Sequence, residues 1–281
     1  MAVALAPAPE EEPDAKPFLK WVGGKRQLLS RLVDHAPKPA EIGTYYEPFL
    51  GGGALFFHLR PVRAVLSDSN ARLIRAYCGL RDDVDGVVDR LTTYRHLHDK
   101  HFFLKMRSLD VDALSDAGVA AWLIYLNRTA YNGLYRVNSK NLFNVPFGDY
   151  KNQLSCDEEN LRACARILGR TTKIDVRDFA EVVKDATPGD FVYFDPPYAS
   201  LTTTSKFTDY TKEGFGDQDQ IRLRDVAQDL KSRGVRVLVS NSSAERVSKW
   251  YKKFTRVSVG ARRSVNCKPG SRGLVQELLI Y

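Results

Sequence analysis

The apolar run Phe191-Val192-Tyr193-Phe194 stops at Asp195-Pro196-Pro197-Tyr198. Four apolar residues with no polar alternation suit a strand buried on both faces, and consecutive prolines cannot continue a hydrogen-bonded ladder. Residues 173–176 and 235–239 read as strands of the same kind, with a long helix over 217–232. Upstream, residues 44–50 and 63–66 read as strands, and helices are expected over 26–35 and from the glycines at 51–53 through Phe57. Residues 255–259 and 274–281 read as closing strands around a basic loop, 262–272. Strand–helix alternation of this kind predicts βαβ units and a parallel sheet, an α/β fold. Residues 71–128 are mostly helical in pattern, 131–150 form a loop or hairpin rich in Asn, Gly and Tyr, and a helix returns over 157–168. That block interrupts the sheet pattern. The expected organisation is a sheet domain from 17–70 and 170–281, with a helical insertion over 71–169 and a hairpin at about 129–150.

Composition narrows the classes. The 281 residues are 43% hydrophobic and 27% charged, which suits a folded domain and argues against disordered or coiled-coil chains. Residues 1–16 are the exception: they are rich in Ala, Pro and Glu, and a disordered tail is expected there, without the basic start or apolar stretch of a signal peptide. No apolar run approaches membrane-spanning length. The four cysteines, Cys78, Cys156, Cys164 and Cys267, form no metal-type spacing and read as reduced thiols of a cytosolic protein with no metal site. A net charge of +8 suits a polyanionic partner, although many enzymes without one are as basic.

Three segments carry candidate chemistry. Asp195-Pro196-Pro197-Tyr198 closes a strand, where open α/β sheets place their ligands. It offers a carboxylate, a rigid backbone carbonyl and an aromatic face, a set able to take both hydrogens of an amino group and to stack on its ring. A plain strand-ending turn with an exposed tyrosine is the alternative. Glu47-Pro48-Phe49-Leu50-Gly51-Gly52-Gly53 is a glycine-rich strand-to-helix turn that lets backbone approach a ligand, or simply packs closely. Asp68 ends the next strand, placed either for ribose hydroxyls or, like Ser69, to cap the following helix.

Taken together, these segments resemble the DNA adenine-N6 methyltransferases, in particular the Dam-type group that modifies GATC. The resemblance covers residue 18 to residue 281. FLKWVGGK is similar to the family's opening motif, EPFLGGG to its methyl-donor loop, LSDSN to its ribose motif and DPPY to its catalytic motif. NRTAYNGLYRVN followed by FNVPFGDYK resembles its target-recognition hairpin, and FTDY, VSNSS and RRS also fit, in the order of the alpha arrangement. The resemblance implies a Rossmann-like methyltransferase sheet and a monomeric cytoplasmic enzyme of the bacterial nucleoid, using S-adenosyl-L-methionine and no metal. It implies that Trp21, Lys25, Asp68 and Asp195 contact the cofactor, that Glu47, Phe49, Gly51 and Gly53 shape its pocket, and that Asp178 and Phe179 lie near its adenine.

For double-stranded DNA the resemblance implies that Tyr131 and Asn132 invade the duplex, and that Leu134, Arg136 and Pro146 read bases beside the target. Unaided, the hairpin reads equally as a polar surface loop, although an arginine can pair bidentately with guanine. Arg128, Lys140, Arg262, Arg263, Lys268 and Arg272 are candidate phosphate contacts or ordinary surface charges. The implied reaction is methyl transfer to a flipped-out adenine. Asp195 and the Pro196 carbonyl accept the N6 hydrogens, Pro197 stiffens the loop and Tyr198 stacks on the base. Two rivals stay open: an amino-methyltransferase with another GA-containing site, and a non-catalytic DNA-binding protein on the same fold.

Overall fold

A computed structural model describes residues 14–148, 157–170, 172–199, 215–262 and 274–281. Its centre is a seven-stranded sheet of β1 (Tyr45–Glu47), β2 (Ala64–Ser67), β3 (Thr172–Asp175), β4 (Phe191–Phe194), β5 (Arg236–Ser242), β6 (Arg256–Arg262) and β7 (Leu274–Ile280), in the order β3-β2-β1-β4-β5-β7-β6. The first five strands pair in parallel. β7 inserts antiparallel between β5 and β6, so the sheet is mostly parallel, in line with the Rossmann-like α/β fold expected. β7 pairs antiparallel with β6 along its whole length, from Leu274 opposite Arg262 to Ile280 opposite Arg256.

Side chains alternate strictly across the central strands. Phe191 and Tyr193 enter the hydrophobic cluster on one face, while Val192 and Phe194 enter that on the other. Both faces are covered by helices, which is why β4 carries no polar residue. One face carries α8 (Phe179–Val183), α9 (Asp217–Ser232) and α10 (Glu245–Trp250). The other carries α1 (Leu29–His35), α2 (Ala54–Leu59) and the helical block α3 (Ala71–Asp82), α4 (Val84–Leu97), α5 (Lys100–Arg107), α6 (Asp116–Thr129) and α7 (Glu158–Gly169). α6 is apolar nearly all round and buried from Ala117 to Asn127, the signature of a central helix. The helical block therefore shares one continuous core with the sheet.

Two local expectations are corrected. The tail does not extend to Lys16: Ala15 is buried, and the Lys16 backbone pairs with Asn160 through both its N–H and its carbonyl. Neither Asp68 nor Ser69 caps α3. Asn70 does, accepting from the Leu73 amide at 3.1 Å. Among the described residues no helix is long and apolar enough to cross a membrane.

Candidate active site

The strand order reverses between β1 and β4, and the crevice beyond their carboxyl ends is where such sheets bind ligands. Glu47 ends β1 and Asp195 follows β4, so the two motifs flank that crevice. The Asp195 carboxylate lies 2.7 Å from the Lys25 ammonium, and both side chains are largely buried. Lys25 also donates to the Gly23 carbonyl at 2.7 Å and lies 4.7 Å from the centroid of the Tyr198 ring. Burial pushes the Asp195 carboxyl up to about 6; Lys25 opposes that rise and Glu277 adds to it. Tyr198 donates its phenol hydrogen to Glu277 on β7 at 2.5 Å, and burial with the two neighbouring carboxylates raises its pKa well above the ordinary value.

Pro196 is buried and Pro197 exposed. The Pro197 carbonyl accepts from Gln220 at 2.7 Å, whereas among the described residues no hydrogen bond reaches the Pro196 carbonyl.

The glycine turn is built around Trp21. Gly51 has φ +48°, and a Cβ there would lie 2.9 Å from the Trp21 ring. Its amide donates to Asp68 at 3.0 Å, and Asp68 also accepts from the Asn70 amide at 2.9 Å. Asp68 is thus held by backbone donors, although burial outweighs them and raises its pKa. Gly53, at φ +63°, starts α2 with Tyr77 against it, and the Tyr77 hydroxyl donates to the Gly51 carbonyl at 3.1 Å. Glu47 is 2% exposed and accepts from Tyr45 at 2.9 Å; burial drives its pKa well above the carboxylate range.

Phe49 stacks on Phe179 at 5.5 Å, with Phe215 edge-on to both. Asp178 caps α8 and is paired by both Arg222 amino nitrogens at 2.9 and 2.6 Å, which holds its carboxyl below the usual range. The structure therefore brings Trp21, Lys25, Glu47, Phe49, Gly51, Gly53, Asp68 and Asp195 to the carboxyl edge of the sheet, with Asp178 already engaged.

The hairpin follows α6. Isolated bridges Ala130–Phe147 and Val137–Phe143 close it, and Arg136 is braced by Asn144 at 2.7 Å. Tyr131 is 55% exposed, and Asn132 projects from a left-handed backbone with φ +56°. Lys140 and Pro146 are exposed and Arg128 half-buried. Leu134 is half-buried against the core. Buried Asn127 ties the hairpin to the opening segment: its amide donates to the Lys20 and Gly133 carbonyls, both at 2.8 Å, and accepts from the Lys20 amide at 2.7 Å. Tyr135 stacks on Trp21 at 5.4 Å. The side chain of Arg262, together with Arg263, Lys268, Arg272, FTDY and the end of FNVPFGDYK, lies outside the described residues.

The sequence profile of the D12 class N6 adenine-specific DNA methyltransferases matches residues 21–265, which contain both flanks of this crevice and the hairpin. The chain belongs to that family. This methyltransferase is 44% identical over 270 residues to the Type II methyltransferase M1.LlaDCHI of Lactococcus lactis subsp. cremoris, covering 94% of each chain. It is 40% identical over 286 residues to the Type II methyltransferase M.MjaIII of Methanocaldococcus jannaschii, covering 95% of this chain and 99% of the relative. It is 32% identical over 264 residues to the DNA adenine methylase of Escherichia coli, covering 93% of each. It is an enzyme that methylates adenine in DNA.

Sequence reasoning missed four side chains of the methyltransferase site: Gln220, Glu277, Asn127 and Tyr135. Gln220 did leave a signal, as the polar member of the buried stripe Gln220, Leu223, Ala227 and Leu230 on α9.

Proposed function

We propose that this methyltransferase moves the methyl group of S-adenosyl-L-methionine to adenine N6 in double-stranded DNA, at GATC, on a base turned out of the duplex. The observation that carries this reading is Asp195 beside buried Lys25 at the sheet's reversal point, with the Pro196 carbonyl and the Tyr198 ring on the same loop. The donor set fits the cofactor. Asp68 and Asp195 offer carboxylates for hydroxyl and ammonium groups, Lys25 offers a cation, and the space beside Gly51 is one that a Cβ would close against Trp21. In this reading Trp21, Lys25, Glu47, Phe49, Gly51, Gly53, Asp68 and Phe179 hold the cofactor, and Asp178 orients the pocket through α8. When bound, the cofactor supplies an electrophilic methyl group on a good leaving group.

Adenine N6 is a weak nucleophile because its lone pair is shared with the ring. Asp195 accepts one N6 hydrogen and the Pro196 carbonyl the other, which draws that nitrogen toward tetrahedral geometry. Tyr198 supports the ring, and its hydrogen bond to Glu277 fixes its plane. The rest is positioning and electrostatics, for which no strong base is needed. A carboxyl with a pKa of about 6 is mostly ionised at neutral pH yet close enough to take the proton released.

Turning the base out costs a few kcal/mol, offset by stacking and by the invading Tyr131 and Asn132. Arg136, Leu134 and Pro146 read the flanking bases, while Arg128 and Lys140 contact phosphates. The test is transfer from labelled S-adenosylmethionine to two duplexes that differ only in GATC against GTTC. Transfer to the first alone is expected, and equal transfer to both would refute the assigned site.

A further inference from the structure

The catalytic loop is gripped from behind by side chains that do not face the crevice. Gln220, 1% exposed, donates Nε2–H to the Pro197 carbonyl at 2.7 Å, and its Oε1 accepts from Asn241 Nδ2 at 2.8 Å. Asn241 Oδ1 accepts in turn from the amides of Ser242 at 2.8 Å and Ala199 at 3.3 Å. The Ser242 hydroxyl donates to the Ala199 carbonyl at 2.6 Å. Turning the Gln220 amide over would set two acceptors against each other at Pro197, so the network reads in one sense only.

A loop containing Pro196-Pro197 has no N–H at either residue by which to be held, which leaves carbonyls as the handles. A buried amide is costly unless it is fully paired, and a leucine would suit the α9 stripe better if packing were the only demand.

We infer that Gln220 is a positioning residue: relayed by Asn241, it fixes the rotation of the Pro196–Pro197 backbone and so aims the Pro196 carbonyl and Asp195 at the amino group. This rests on the proposed role of the tetrad. It divides the two proline carbonyls, with Pro197 serving as the anchor and Pro196 as the acceptor.

The test compares wild type with Gln220→Glu and Gln220→Ala in the full chain. Transfer to unmethylated plasmid DNA is measured alongside calorimetric binding of S-adenosylhomocysteine and thermal melting. Glutamate keeps the shape and the Asn241 bond but places an oxygen against the Pro197 carbonyl. The expected result is a kcat lower by about 10²-fold, as for a misplaced reacting group, with S-adenosylhomocysteine affinity and the KM for S-adenosylmethionine retained. The ratio of the Glu variant's kcat to that of wild type should rise as pH falls, because a protonated glutamate can donate where the amide did. Gln220→Ala should lose kcat with no such pH-dependent recovery.

A Glu variant with wild-type kcat at the alkaline end of the pH range, where the glutamate is ionised, overturns the inference. So does a loss that is independent of pH and matched by an equal loss of S-adenosylhomocysteine affinity, which would mark a purely structural role. A wild-type chain without transfer overturns the underlying reading of the tetrad instead, and the inference with it.

Discussion

The Asp195 carboxyl sits between two opposing charges, and removing each should move its titration in opposite directions. Burial pushes the value up to about 6; Lys25, 2.7 Å away, holds it down, and Glu277 adds to the rise. Even with full aqueous screening, unit charges at 2.7 Å interact by about 1.5 kcal/mol, or about one pH unit. A drier crevice makes this a floor, and opposite charges at such range commonly move a carboxyl by about 1–3 pH units. Lys25→Met should therefore carry the acid limb of kcat/KM from about 6 to about 7 or higher, since the carboxylate loses its counter-charge. Glu277→Gln should carry it below 6, since a repelling charge is gone. The assay is initial-rate transfer from pH 5 upward, with kcat/KM chosen because it reports groups of the free enzyme. The positions of the limbs decide the matter, whatever the amplitudes. An acid limb that stays in place in both variants, or that moves down in Lys25→Met, would refute the assignment of that limb to Asp195.

Other outcomes follow from packing and pairing. Gly79→Ala should destabilise the chain by about 1–3 kcal/mol in denaturant titration, because a Cβ there would lie 2.1 Å from the Asp116 carbonyl where α3 crosses α6. Asn127→Ala should cost about 1–3 kcal/mol by stranding the Lys20 and Gly133 backbone groups. It should also weaken discrimination between cognate and altered duplexes in competition binding. Arg222→Ala should destabilise the protein above the ordinary carboxylate range. That difference should vanish as pH falls through the lowered Asp178 value, since a depressed carboxyl gives its stabilisation only while ionised. Paired melting curves across acidic pH would check it.

What the sequence shows plainly is what repeats or what chemistry forbids changing. β4 and α9 fall on the residues expected, 191–194 and 217–232, because an unbroken apolar run and a long amphipathic stripe each admit one reading. β1 is shorter than expected, three residues rather than seven, since Pro48 ends the ladder and the glycine turn begins at once. The short helices α8 and α10 left too few turns to show a period. The reversed β7 was not legible, because an apolar strand reads the same in either direction.

At the site, the tetrad and the glycine turn announced themselves by rigid or permissive backbone. The Lys25–Asp195 pair, separated by 170 positions, and the Tyr198–Glu277 bond depend on tertiary placement, and only the sheet order reveals them. Asp178 likewise has a partner that is out of view in the linear chain, Arg222 from α9, which pairs with it beside Phe179.

The central claim is that Asp195 carries the chemistry and not merely the fold. Asp195→Ala, assayed for N6-methyladenine in DNA by mass spectrometry with duplex binding measured on the same preparation, tests it most directly. Loss of methylation with duplex binding largely retained is the predicted result; methylation at the wild-type rate would contradict the account.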